Sequence, residues 1–225
     1  MEISDHVYVF PVETTYFGNE RTFYLTGVET RRGLILFDVG GPDDEDVLEE
    51  ALAQDGFTFD DVDKIVLTHQ DYDHLGCLAP VATRTDAEIL AHEYAAPYVS
   101  GEVKMLKRPK EPYPGVPVDI ELTDGMRFHT QAGPVKALFT PGHAPGHLVF
   151  YVEERGLLIA GDLLYNEGGF SGPNRAMTPD LEEARNSIGR LIDLDVEMVL
   201  CHHGGPADVT EADILRVYHN FGTDI

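Results

Sequence analysis

The stretch Lys64-Ile-Val-Leu-Thr-His-Gln-Asp-Tyr-Asp-His74 decides the fold, because it joins a short apolar run to a cluster of potential metal ligands. The apolar run over 64–68 predicts a buried strand. Four donors follow within six residues: His69, Asp71, Asp73 and His74. A metal ion needs several nitrogen and oxygen donors about 2 Å away, and a loop leaving one strand end can aim such side chains into one space. The stretch therefore indicates a metal site, with a polar turn as the alternative for this segment alone.

Three more segments place donors directly after short apolar runs. They supply His143 and His147 in Phe139-Thr-Pro-Gly-His-Ala-Pro-Gly-His147, Asp162 in Leu158-Ile-Ala-Gly-Asp162, and His202 and His203 in Val199-Leu-Cys-His-His203. Glycine and proline beside these donors allow sharp turns. Because four segments share this pattern and carry six of the 10 histidines, we expect them to converge at one edge of a sheet.

Runs of strand length alternate with turn signals and helical patterns along the chain. Strands are expected over 7–12, 22–29, 33–38, 64–68, 88–91, 134–139, 148–152, 157–160 and 198–200, and helices over 44–54, near 181–192 and from about 211. Strands mixed with flanking helices predict a layered α/β protein. The proline-rich segment 108–117 predicts a stiff loop that forms a lid or rim.

From about residue 5 to residue 206, this order and spacing resembles the metallo-β-lactamase-fold hydrolase superfamily, in its glyoxalase II and lactonase-like branch. The His-x-His-x-Asp-His motif of the family falls on the stretch from His69 to His74, and its later ligands fall on His143, Asp162 and His203. The resemblance implies a single domain over 1–225. It also implies a four-layer αββα sandwich, in which two mixed β-sheets are flanked by helices.

The same resemblance implies two divalent metal ions, with zinc as the first expectation. One ion is expected among His69, Asp71 and His143, and the second among Asp73, His74 and His203, with Asp162 and a hydroxide between them. The sequence departs from the family at Asp71, where the motif has its second histidine. A carboxylate is a harder ligand than imidazole, so manganese or iron can replace zinc at that site. A mononuclear second site is the alternative.

Other residues near the motifs have more than one interpretation. His147 is expected to orient the ligands by hydrogen bonding rather than to bind metal. His202 precedes His203 by one residue, and a one-residue shift of register exchanges them; His203 is taken as the ligand. Cys77 and Cys201 are expected to be buried thiols, with Cys201 near the metals.

The favoured function is a metal-dependent hydrolase that cleaves an ester, thioester or lactone through a metal-bound hydroxide. Asp73 is expected to orient the nucleophile and carry its proton, and Tyr165 to donate a hydrogen bond to the oxyanion. The His-x-Asp-x-Asp-His form also resembles the nuclease-like domains of bacterial DNA-uptake proteins, so a phosphodiesterase or nuclease is the alternative. A mononuclear-iron persulfide dioxygenase or a catalytically silent member of the fold remains open.

The charge balance is unusual, with 40 acidic against 16 basic residues and a net charge of −24. Such a surface repels nucleic acid, so we expect a small-molecule substrate. Four basic residues cluster before the proline-rich loop, where they can hold an anionic substrate: Lys104, Lys107, Arg108 and Lys110. The acidic excess resembles proteins from salt-loving organisms, since concentrated salt screens self-repulsion.

The remaining composition predicts a soluble, cytoplasmic protein without a membrane segment. No apolar run approaches the roughly 20 residues that span a bilayer, and the first residues lack the pattern of a secretory signal. Two cysteines are too few for a disulfide framework.

Overall fold

The computed structural model describes residues 1–221, which form two β-sheets packed face to face with helices on both outer surfaces. The first sheet follows the order of the chain: β1 (Glu2–Ser4), β2 (Val7–Tyr16), β3 (Asn19–Glu29), β4 (Leu34–Phe37), β5 (Val62–Val66), β6 (Glu88–His92) and β7 (Ile120–Leu122). Its β1 to β4 are antiparallel to their neighbours, whereas β4 to β7 are parallel. This change makes the sheet mixed.

The second sheet has the strand order β13-β12-β11-β10-β9-β8. Its strands are β8 (Arg127–Thr130), β9 (Gly133–Phe139), β10 (Leu148–Val152), β11 (Leu157–Ile159), β12 (Met198–Cys201) and β13 (Gly205–Asp208). Only β11 and β12 pair in parallel. This sheet is therefore mixed as well.

The helices cover the outer face of each sheet. Four pack on the first sheet: α1 (Glu45–Ala53), α2 (Tyr72–Leu75), α3 (Leu78–Ala82) and α4 (Ala96–Val99). Two pack on the second: α5 (Leu181–Gly189) and α6 (Glu211–Phe221). Short 3-10 turns lie at Phe59–Asp61 and Arg175–Met177. Within residues 1–221, no helix is both long enough and apolar enough to cross a membrane.

The four layers follow from strands that are apolar on both faces. Along β4, Leu34 and Leu36 pack under the helices of the first sheet, whereas Ile35 and Phe37 enter the core between the sheets. The Phe37 ring meets that of Phe150, 4.8 Å away on β10. A strand buried on both faces is apolar throughout, whereas a strand with one face in solvent alternates apolar and polar residues. The predicted αββα sandwich is confirmed.

The elements that the sequence did not predict are short or polar. β1 and β7 have three residues each, β8 is Arg127-Phe-His-Thr130, and β13 contains the turn formers of Gly205-Pro-Ala-Asp208. Their pairing with longer neighbours overrides weak local preference. The strand expected over 64–68 runs instead over Val62–Val66, because the backbone N–H of Thr68 bonds to the carboxylate of Asp38 rather than to a strand. The helix expected near 181–192 ends at Gly189.

Candidate metal centre

The structure brings all seven metal ligands expected from the sequence to one edge of the sandwich. His69 follows β5, Asp71 directly precedes α2, and Asp73 and His74 lie within that helix. The other three lie beyond the ends of strands of the second sheet: His143 after β9, Asp162 after β11 and His203 after β12. Two groups of donors result. The first site is His69, Asp71, His143 and Asp162, and the second contains Asp73, His74, His202 and His203, with the ligand atoms of each group within 4.8 Å of one another.

The spacing of these atoms fits a metal ion in each group. Ligands about 2.0–2.1 Å from a tetrahedral ion are about 3.3 Å from one another. In the first site, Asp71 Oδ2 lies 3.2 Å from His69 Nε2 and 3.0 Å from His143 Nε2. In the second site, His203 Nε2 lies 3.2 Å from Asp73 Oδ2. These pairs therefore stand at the separations of tetrahedral coordination, whereas His74 Nε2 lies farther from Asp73 Oδ2, at 4.0 Å.

Asp162 connects the two sites through its two carboxylate oxygens. Oδ1 lies 3.1 Å from His74 Nε2 and 3.3 Å from His203 Nε2, whereas Oδ2 lies 3.2 Å from His143 Nε2. The preceding Gly161 has a φ of +49°, and a Cβ there would lie 2.8 Å from His147 Nε2. Glycine is therefore needed to turn the chain sharply between β11 and this bridging carboxylate.

Hydrogen bonds at the far ring nitrogens leave the near nitrogens of His74 and His69 free to bind a metal. His74 Nδ1 donates to Asp38 Oδ2 at 2.8 Å. The Thr68 hydroxyl also donates to Asp38 Oδ2, so its oxygen accepts from His69 Nδ1 at 3.0 Å. A neutral imidazole with its proton on Nδ1 presents a lone pair at Nε2. His69 Nε2 is buried and makes no hydrogen bond. This is explained if the nitrogen binds a metal ion.

His143 is oriented in the same way by Thr178. The Thr178 hydroxyl donates to the carbonyl of Asn174 at 2.8 Å, so its oxygen accepts from His143 Nδ1 at 3.3 Å. The single lone pair of His143 is then at Nε2, which faces Asp71 and Asp162.

Three of the residues that orient the ligands, Asp38, Thr68 and Thr178, were not predicted from the sequence. Asp38 carried a usable signal, because it follows the buried strand β4 and precedes Gly40-Gly41, as the ligands follow their strands. Its φ of +62° lies in the left-handed region, which aspartate tolerates better than most residues. Thr68 and Thr178 carried no such signal, since their roles depend on contacts with distant segments.

His147 and His202 have different roles from the ligands. His147 Nε2 accepts from the backbone N–H of Asp162 at 3.0 Å, and Nδ1 pairs with the Thr140 hydroxyl at 2.9 Å. Both of its nitrogens are used, so His147 positions the Asp162 turn, as expected. The ring of His202 stacks on that of His74, 3.8 Å away at 26°. His202 Nε2 is buried without a hydrogen bond, as His69 Nε2 is. His203 Nε2, however, lies 3.2 Å from Asp73 Oδ2 and 3.3 Å from Asp162 Oδ1, so the geometry favours His203 as the ligand.

Burial and neighbouring charges shift the pKa values of these groups strongly. Burial lowers the pKa of His69 to about 4. Burial opposes charge on His203 too, but the carboxylates of Asp162 and Asp73 raise its pKa to about 10. Burial likewise opposes ionisation of Asp71, yet His69, His143 and Lys107 hold its pKa well below the ordinary value. The carboxylates thus attract positive charge, and a metal binds His203 only in exchange for a proton.

The two sites open into a cavity of about 250 Å³. Part of its wall is aromatic and is formed by Tyr16, Phe17, Phe23 and Tyr165. Arg21 and Arg108 lie at its rim. The Tyr165 hydroxyl donates to Asp162 Oδ2. A larger cleft of about 820 Å³ is lined by residues such as Arg31 and Arg127 and contains none of the proposed ligands. The position of the proposed ligands therefore identifies the site, whereas the size of a cavity does not.

Both cysteines are buried free thiols. Cys201 ends β12 but belongs to neither donor group among residues 1–221. Burial raises the pKa of both thiols above the ordinary value. Neither is a metal ligand in this arrangement.

Two His and Asp groups that meet at the edge of an αββα sandwich define a metal-binding protein of this fold class. Comparison with known proteins gives the family. The profile described as the Metallo-beta-lactamase superfamily matches residues 24–203. The chain belongs to this superfamily. Its relatives include proteins named as probable metallo-hydrolases.

Several relatives cover most of the chain. It is 28% identical over 208 residues to the probable metallo-hydrolase YflN of Bacillus subtilis, across 76% of this chain and 75% of that protein. It is 30% identical over 164 residues to the probable metallo-hydrolase YybB of the same organism, across 68% and 69%. A metallo-beta-lactamase family protein from Thermus thermophilus, known from its crystal structure, has a TM-score of 0.74 at 27% identity, covering 97% of this chain and 79% of that one.

Proposed function

We propose that the protein is a metal-dependent hydrolase that uses two divalent cations to cleave an ester, thioester or lactone. The observation that carries this proposal is the bridging geometry of Asp162, whose two oxygens face different histidine sets, 3.1 Å from His74 and 3.2 Å from His143. Each set also has its own carboxylate, Asp71 or Asp73. A shared carboxylate between two such sets is suited to a pair of ions.

The side chains around the cavity have separate roles in this proposal. When bound, the cations supply Lewis acidity, which makes a water nucleophilic near neutral pH and polarises a carbonyl oxygen. Asp73 reaches the cavity wall and accepts the proton of the nucleophile. Burial and Asp162 raise the pKa of Tyr165, so its hydroxyl keeps its proton. During the reaction, that hydroxyl releases its hydrogen bond to Asp162 and donates one to the developing oxyanion instead.

The walls of the cavity favour a small substrate with a negatively charged group. A cavity of about 250 Å³ accommodates a small molecule. Arg108 stacks on Phe17, with its guanidinium carbon 3.6 Å from the ring centroid, and Arg21 lies on the same rim. These guanidinium groups can pair with a carboxylate of the substrate. The net charge of −24 opposes binding of nucleic acid at the surface.

We further propose zinc at the second site and zinc, manganese or iron at the first. Histidine and carboxylate donors suit all three metals, and the carboxylate of Asp71 adds hard character to the first site. A cytoplasmic location is supported by the two buried, unpaired cysteines. Adaptation to high salt is supported by the acidic excess alone.

A substrate panel on metal-analysed protein tests this function. Protein purified without added metal is analysed for bound ions, stripped, reloaded with Zn²⁺ or Mn²⁺, and assayed on an ester, a thioester, a lactone and a phosphodiester. We expect metal-dependent hydrolysis of at least one acyl substrate and none by His203→Ala. Cleavage confined to the phosphodiester would instead establish the nuclease-like alternative. Oxygen consumption with a persulfide and Fe²⁺ would establish the dioxygenase.

A further inference from the structure

The ammonium of Lys107 lies within the first metal site. Its Nζ is 2.5 Å from Asp71 Oδ2 and 2.7 Å from His143 Nε2, and these two atoms are themselves 3.0 Å apart. The other lysines of the same segment, Lys104 and Lys110, are exposed. Only Lys107 of the three reaches the ligands, although the sequence grouped all of them in one basic cluster.

The segment that carries Lys107 is held over the site by two further contacts. The Tyr72 hydroxyl, one residue from Asp71, donates to the carbonyl of Glu111 at 2.7 Å. Arg108 stacks on the ring of Phe17, which also lines the cavity. Arg108 also has a φ of +57°, in the left-handed region that residues with a side chain disfavour. The backbone is therefore strained at the residue next to the inserted lysine.

Lys107 and a metal ion cannot both contact the His143 ring, because only one lone pair of that ring is available. The Nδ1 of His143 donates to Thr178, so the ring has one lone pair, at Nε2. That lone pair either accepts a hydrogen bond from Lys107 or binds a metal. Asp71 Oδ2 has two lone pairs and can make both contacts, so competition arises at the imidazole.

We propose that Lys107 is a tethered cation that competes with metal for the first site and sets its affinity. Loading of this site then displaces Lys107 toward the mouth of the cavity, whereas loading of the second site leaves it in place. The two sites consequently differ in metal affinity although each has two histidines and a carboxylate of its own. This inference rests on the metal-binding part of the proposed function and not on hydrolysis.

Metal titration of matched variants tests the competition. Metal-free wild-type protein, Lys107→Met and the control Lys110→Met are titrated with Zn²⁺ and with Mn²⁺ against a chromophoric chelator. Hydrogen bonds to charged groups shift an equilibrium by about 10- to 100-fold, and a metal that must displace one binds more weakly by that factor. We therefore expect Lys107→Met to tighten one site by about 10- to 100-fold. The second site and both sites of Lys110→Met should match wild type.

Amine labelling tests the displacement without any substitution. An acylating reagent is applied to metal-free and metal-loaded wild-type protein, and modified lysines are quantified by mass spectrometry with Lys104 and Lys110 as internal standards. We expect the rate at Lys107 to rise when the weaker site fills, while the standards keep their rates. If Lys107→Met should not fold, Lys107→Gln serves in the titration, and the labelling result still decides.

The outcomes that overturn the proposal are specific. Unchanged or weakened metal affinity in Lys107→Met would show that Lys107 does not compete. Equal labelling of Lys107 with and without metal would show that it is not displaced. Absence of hydrolysis on every substrate of the panel would refute the proposed function but leave these two readouts intact.

Discussion

Replacing Asp38 with asparagine should weaken metal binding at the second site without changing the fold. The carboxylate accepts from the backbone N–H of Thr68, from its hydroxyl and from His74 Nδ1, each at 2.8 Å. Asparagine keeps the shape and tolerates the left-handed φ of +62° at this position. Its amide group, however, presents N–H donors to His74 Nδ1, which must then become an acceptor. The ring proton moves to Nε2, the atom that should bind the metal.

The expected size of the effect follows from the residues that orient metal-binding histidines in general. Their loss costs about 10- to 100-fold in metal affinity, which corresponds to about 1.4–2.7 kcal/mol. The unfolding free energy should also fall by about 1.5–3 kcal/mol, because a buried hydrogen bond to a charged group is lost. The first site should be less affected, because Asp38 contacts His74 directly but reaches His69 only through the Thr68 hydroxyl.

Asp44→Asn provides the matched control for stability. Asp44 is an equally buried carboxylate that accepts from the Gly41 backbone at 2.6 Å and from the Thr14 hydroxyl, outside both donor groups. Chelator competition measures the metal affinities of both variants, and urea unfolding of the metal-free proteins measures stability. If Asp38→Asn binds both ions as tightly as wild type, the carboxylate supports only the fold, and the assignment of the His74 tautomer is wrong.

The remaining predictions concern the ligands, the hydroxyl donor and the surface. Asp71→Ala should lose up to one ion per chain and most hydrolysis, whereas Asp71→His should keep the metal and shift its preference toward zinc; elemental analysis that finds full metal in an active Asp71→Ala would remove Asp71 from the site. His203→Phe should lose metal at the second site and His202→Phe should retain it, since His203 Nε2 lies 3.3 Å from the bridging Asp162 Oδ1; the reverse result would exchange their roles. Tyr165→Phe should lower kcat about 100-fold with little change in KM or metal content, and an unchanged kcat would exclude the oxyanion role. The thermal midpoint should rise from dilute buffer to molar salt, because the Debye length falls to about 3 Å and screens the net charge of −24; a constant midpoint would contradict adaptation to salt.

The fold was predictable because its central strands are apolar runs that the sequence alone identifies as strands. Leu34-Ile-Leu-Phe37 and Leu148-Val-Phe-Tyr-Val152 are buried on both faces and are recognisable without any partner. β8 and β13 could not be predicted, because their residues form strands only when paired with β9 and β12. The single domain over 1–225 stays a prediction.

The candidate ligands could be predicted for a topological reason. Each follows a strand, and the strands deliver them to one edge, so position in the sequence is enough to place them together. The expectation for the basic cluster was less specific, because nothing in a proline-rich loop determines which side chain turns inward. The structure places Lys107 on Asp71 and leaves Lys104 and Lys110 exposed. Contacts that decide such a loop, such as Tyr72 with Glu111, join segments 39 residues apart.

Asp71 and Lys107 are best understood as a pair. Where the family motif has a neutral imidazole, Asp71 adds a negative charge to a buried group that already contains Asp162, with Asp73 in the neighbouring group. Buried like charges are costly unless cations lie beside them, and Lys107 supplies one at the added carboxylate. Because that cation comes from a loop rather than from a strand end, it can leave when a divalent ion arrives. We therefore expect the departure from the family at position 71 to change the metal preference of the first site, and the same carboxylate provides the anchor that holds the loop above it.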